Sequence, residues 1–185
     1  MNRLNWIGRG RGACVLVITG AALLANCSKA AKSADVNDKV RAAISQAGLA
    51  DVKTDQDRDK GVVTLTGHVA AEADKAQAES VAQAAAGDQV ISNQIAVVPP
   101  GGEEASRKVN SALDKGIESN LEAALVGEKL SDVVHYSVNN HVVTLSGKVD
   151  SQAIRTRANT IAEGILNVQQ VVNELQVKSQ KATTN

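Results

Sequence analysis

The sequence predicts an α+β fold built from two tandem αββαβ domains, each a three-stranded mixed sheet with two helices on one face. Three observations predict it. First, Val-Val-Thr-Leu-Thr-Gly-His-Val at 62–69 returns 80 residues later as Val-Val-Thr-Leu-Ser-Gly-Lys-Val at 142–149. The register then holds without a gap, so that Ala73, Ala78, Ala82, Gln89, Asn93 and Val97 meet Ala153, Ala158, Ala162, Gln169, Asn173 and Val177. A match that survives two different hydrophobic patterns marks a structural repeat. Second, both prolines of the chain fall in Pro99-Pro100-Gly101-Gly102-Glu103-Glu104, between the copies. Prolines stiffen the backbone and glycines release it, so 99–104 reads as a linker. Third, hydrophobic residues make up 43% of the chain, yet it holds no Phe, one Trp and one Tyr. A core of Val, Ile, Leu and Ala suits small domains of modest stability.

Each copy, 34–98 and 105–178, opens with a helix. Val36, Val40, Ala43, Ile44 and Ala47 form one apolar stripe, with Gly48 as the stop. In the second copy the stripe is longer, from Val109 through Leu113, Ile117, Leu121 and Leu125, and ends at Gly127. A strand pair follows: Val52–Asp55 and Val62–Val69, then Val133–Val138 and Val142–Val149, with Asn139-Asn140 as the second turn. Gly67 and Gly147 interrupt the second strand at one equivalent place, where a bulge or a close backbone approach is expected. Ile154, Ala158, Ile161, Ala162 and Ile165 give the second helix one face. Its counterpart has Asp74 in place of Ile154, so the first copy is expected to be the less stable. Ile91–Val98 and Val171–Val177 close the copies as strands, and the β-α-β crossover is expected to be right-handed.

The N-terminus reads as an address. Arg3, Arg9 and Arg11 precede an uncharged apolar run at 13–25, too short to span a bilayer and suited to a signal peptide over 1–26. Leu24-Ala25-Asn26-Cys27 resembles a bacterial lipobox, which implies lipidation of Cys27, although Asn26 departs from the small residue usual there. Cleavage after Ser28-Lys29-Ala30 is the competing reading. The first makes an outer-membrane lipoprotein, since Ser28 is not the Asp of inner-membrane retention; the second makes a soluble periplasmic protein. Residues 27–33 read as a tether and 179–185 as a disordered tail.

The element order, the Val-Thr-Leu-(Thr/Ser)-Gly-x-Val signature at 63–69 and 143–149, and the closing motifs Asn93-Gln94-Ile95-Ala96-Val97 and Asn173-Glu174-Leu175-Gln176-Val177 resemble the BON domain family. The resemblance covers about residues 34–178. It implies a non-enzymatic envelope protein that supports membrane integrity under osmotic or similar stress. It also implies recognition of a phospholipid membrane surface, anionic lipid in particular, by the second domain. Lys148, Arg155 and Arg157 are the candidate contacts, and Gly67 and Gly147 the structural glycines. Docking onto an envelope protein partner is the alternative.

Composition argues against other chemistries. Without Arg3, Arg9 and Arg11, 17 basic residues face 20 acidic ones, a net charge of −3. A mildly acidic body whose only aromatic outside the signal segment is Tyr136 is a poor nucleic-acid platform. His135 and His141 flank the second hairpin, but a third metal ligand is missing, so no metal is expected. Asp55, Asp57 and Asp59 alternate as in a calcium loop without its Gly and bidentate Glu. No nucleophile-base pair or phosphate-cradling loop emerges, so neither catalytic residues nor a cofactor is expected.

Overall fold

A computed structural model of the protein describes residues 32–178. The signal segment, Cys27 and the 179–185 tail lie outside the described residues. The first copy runs α1 (Asn37–Gln46), β1 (Val52–Asp57), β2 (Val62–Val69), α2 (Glu72–Ala86), β3 (Val90–Asn93) and β4 (Ala96–Val97). The second repeats the order as α3 (Glu103–Gly127), β5 (Val134–Asn139), β6 (Val142–Val149), α4 (Gln152–Glu163), β7 (Gln170–Asn173) and β8 (Gln176–Val177).

In each copy the central strand pairs antiparallel with its predecessor and parallel with the strand after the helix. The expected last strand is broken in two: β3 and β4 both lie along β2, and β7 and β8 along β6. One sheet face is apolar in both copies because strand side chains alternate. Val63, Leu65 and Val69 meet Val40 and Ile44 of α1 and Ala78 and Ala82 of α2. Val143, Leu145 and Val149 meet Ile117, Leu121 and Leu125 of α3 and Ala158 and Ala162 of α4.

Three boundaries differ from the sequence reading. Helix α3 begins at Glu103 and so takes the end of the 99–104 linker. Glu103 and Glu104 sit in its first turn, where carboxylates oppose the helix dipole favourably. The hairpin turn of the second copy is Asn140-His141, not Asn139-Asn140: Asn139 pairs with Val142, and the two residues between have φ of 45° and 67°. That is a two-residue mirror-image turn, the kind that matches strand twist. The Asp114 carboxylate of α3 accepts from both turn amides, at 3.0 Å from Asn140 and 2.9 Å from His141. Finally, Lys32 and Ser33 of the expected tether are docked on the first domain. The Ser33 amide donates to the Arg58 carbonyl at 2.8 Å, and Arg58 Nε returns a bond to the Ser33 carbonyl at 2.9 Å.

The first core is lighter. Ala78, Ala82, Ala85 and Ala86 are four of its buried side chains, where the second core has only Ala158 and Ala162. Less apolar area per helix means less stabilisation. In native-state hydrogen exchange, strand amides of β2 are expected to open at lower free energy than those of β6. Equal or reversed protection would contradict the difference in core content.

Candidate functional site

The two domains meet along a seam between β3 and β7, and two of its contacts form an equivalent pair. Lys60 of the first domain bonds Glu174 of the second at 2.6 Å. Their counterparts 80 residues away are Asn140 and Gln94, and Asn140 Nδ2 donates to the Gln94 carbonyl at 2.9 Å. Such reciprocal pairing is the signature of a two-fold arrangement, here made by two halves of one chain. Val62 and its counterpart Val142 pack with Val172 at the centre, on the sheet faces opposite the helices.

Gln170 departs from the pairing, standing where the first copy has Val90. Its side-chain amide accepts from the Asn93 amide at 2.9 Å and donates to the Ile91 carbonyl at 2.7 Å. A parallel strand would satisfy the same two groups of an edge strand in the same way. Gln170 therefore caps the open edge of β3, which would otherwise be free to pair with another chain.

Lys75 of α2 is buried with 8% exposure, and its ammonium donates to Gln169 Oε1 across the seam at 2.9 Å. A cleft of about 250 Å³ beside it is lined by Glu72, Lys75, Glu79, Asn93, Gln169 and Gln170. Neither Lys75 nor Gln170 stood out in the sequence. The available signals were a polar residue at a position that is Val in the other copy, and Lys75 standing opposite Arg155.

The family glycines answer to a close backbone approach. Gly67 and Gly147 have φ of 110° and 129°. A Cβ at either would strike a carbonyl oxygen of the loop entering the neighbouring strand, that of Asp51 or of Val133. At this level the third strand breaks from the ladder, and an asparagine bridges the break in each copy, buried in the first and half-buried in the second. Asn93 Nδ2 donates to the Lys75 carbonyl at 3.2 Å and to Glu79 at 3.0 Å, and its Oδ1 accepts from the Ile95 amide. Asn173 repeats this with the Arg155 carbonyl at 3.2 Å and the Leu175 amide at 3.1 Å.

The three candidate lipid contacts do not converge. Lys148 is exposed on the sheet face opposite α4 and enters no ion pair among the described residues. Arg155 is half-buried and donates to the Asn173 carbonyl at 3.2 Å. Arg157 is paired with Glu128, just beyond α3. Arg155 and Arg157 thus serve the packing around α4, and Lys148 alone presents an uncommitted cation.

The histidines also stand apart. His135 is opposite Ser146 on β5, while His141 is in the turn at the other end of that hairpin. Among the described residues no group of three His, Cys, Asp or Glu is placed to hold a metal.

Tyr136 donates to Glu122 Oε2 at 3.3 Å. Burial first, and then the Glu122 charge, push its phenol above the ordinary value of 10.0. A raised folded value means that this contribution to stability is complete below pH 10 and is lost as pH rises through the folded midpoint. Phenolate absorbance of this single tyrosine should therefore rise at higher pH in the folded protein than in the unfolded one. Glu122→Gln should move the midpoint back down.

The family described as BON domain matches residues 32–99 and again 113–179. The chain is 36% identical over 129 residues to osmotically-inducible protein Y of Escherichia coli strain K12, covering 69% of this chain. It spans 61% of that protein's length. The C-terminal domain of CdsD, a structural protein of the type III secretion system of Chlamydia trachomatis, aligns with 80% of this chain at 14% identity and a TM-score of 0.33. A likeness that loose carries no weight for the architecture. The two matched segments each contain a signature glycine and a strand-break asparagine, Gly67 with Asn93 and Gly147 with Asn173, and the chain belongs to the BON domain family.

Proposed function

We propose that this is a non-enzymatic, exported envelope protein that supports membrane integrity in osmotic stress by binding phospholipid surfaces. The observation that carries this reading is the similarity to osmotically-inducible protein Y across both domains. The lipobox-like Leu24-Ala25-Asn26-Cys27 supports attachment to the outer membrane, with the soluble periplasmic form as the alternative. The distinctive polar residues support a structural role. Asn93, Asn173, Lys75 and Gln170 hold strand breaks and the seam together.

Lys148 is the side chain best placed to meet an anionic headgroup, because Arg155 and Arg157 already have partners. One exposed lysine gives weak, salt-sensitive attraction, about 1 kcal/mol at an anionic surface. The test is sedimentation of the processed, unacylated protein with phosphatidylglycerol or phosphatidylcholine vesicles at low salt. Binding to the anionic vesicles, weakened several-fold by Lys148→Glu, is expected. Absence of binding to either would reject the lipid part. Crosslinking in cells to one dominant protein, without lipid adducts, would favour docking onto an envelope protein.

A further inference from the structure

We propose that the acylated protein stands on the bilayer on one particular end, formed by the β1–β2 turn of the first domain and the β8 end of the second. This rests on the lipoprotein reading above, in which Cys27 carries the acyl chains.

The first support is where the N-terminal segment leaves the fold. Residues 32–36 are held from end to end. Lys32 pairs with Asp59 at 3.1 Å, and the Arg58 carbonyl accepts from Ser33. The Ala34 carbonyl accepts from both Gln56 and Gln89, at 2.7 and 2.9 Å. The Val36 amide donates to Gln56 Oε1 at 3.1 Å. The chain therefore emerges at the tip of the β1–β2 turn.

The second support is reach. Five residue steps separate Cys27 from Lys32, so the span is at most roughly 17 Å. Strand β2 has eight residues, so the opposite end of the first domain lies about 26 Å from the turn. Resting on that opposite end would place Lys32 beyond the reach of its own anchor.

The seam supplies the third. Lys60 at the turn of the first domain contacts Glu174, whereas Asn140 at the turn of the second contacts Gln94. The domains are therefore antiparallel. The β1–β2 turn lies level with the β7–β8 break, and Lys148 and Lys178 are at this same end. The opposite end carries Leu166, which is 76% exposed.

Charge contributes little to the choice. Arg58 pairs with Asp35, Lys60 with Asp57 and Glu174, and Lys178 with Asp150. A nearly compensated end leaves tether length as the determinant, so the orientation should persist at high salt.

The test uses the full acylated chain in mixed phosphatidylcholine and phosphatidylglycerol vesicles, with fluorophores at Asp88→Cys, Gln176→Cys or Leu166→Cys and a quencher in the lipid. Asp88 and Gln176 should be quenched several-fold more than Leu166, at low and high salt alike. Equal quenching, or stronger quenching at Leu166, overturns the orientation. Inserting about fifteen Gly and Ser residues after Ala31 lengthens the tether past the height of the molecule. It should abolish the difference, and persistence of the difference would overturn the tether as its cause. An N-terminus without acyl chains, together with no retention on vesicles, would defeat the lipoprotein reading itself and the orientation with it. Retention with the quenching order reversed would defeat the orientation alone.

Discussion

Gly147→Ala is expected to destabilise the second domain by about 3 kcal/mol or more, since strain and a backbone collision act together. The backbone at φ 129° is one that L side chains rarely adopt. A methyl there would also collide with the Val133 carbonyl oxygen, which belongs to backbone and cannot rotate away. Relief requires β5 and β6 to separate at the register pair Val134–Gly147. Gly116→Ala is the control. It lies inside α3 with nothing within 4 Å of the added carbon, so alanine should stabilise by about 0.5–1 kcal/mol. Urea unfolding followed by circular dichroism reads both. Similar midpoints for the two variants would refute the close-approach account of the family glycine.

Asn93→Asp is expected to cost about 3 kcal/mol while changing a single atom type. The amide donates to the Lys75 carbonyl and to Glu79, and it accepts from the Ile95 amide. A carboxylate keeps only the accepting role. It would face the carbonyl and Glu79 with no proton between them, at a site only 3% exposed. Lowering the pH to protonate the new carboxyl should recover part of the loss, because the acid form can donate. A loss independent of pH would point to something other than the missing donor.

The repeat, the element order and the shared core face were legible because each rests on a periodicity. Val63, Leu65 and Val69 alternate, and Val40 and Ile44 are four apart. The break of the third strand was not legible. It follows from the unusual backbone of Gly67 and Gly147, and from an asparagine replacing a ladder bond, and neither leaves a period in the sequence. The turn was misplaced by one residue because His141 adopts a positive φ that Gly61 takes in the first copy. The docking of Lys32 and Ser33 was also hidden, since it depends on Arg58 from a distant turn.

The site was less legible than the fold for a related reason. Lys148, Arg155 and Arg157 are near one another in sequence, but the sheet separates the first from the other two. Seam residues instead lie about 45–115 positions apart, as Asn140–Gln94, Lys75–Gln169 and Lys60–Glu174 show. Residue differences at equivalent positions, Gln170 against Val90 and Arg155 against Lys75, hinted that the halves are not interchangeable.

Residual dipolar couplings of backbone amides over 32–178 bear most directly on whether the duplicated halves form one body. One alignment tensor should fit both domains, and Gln170→Ala with Lys60→Ala should begin to separate it into two. Two unrelated tensors in the unaltered protein would mean that the halves tumble independently and that the seam does not exist in solution.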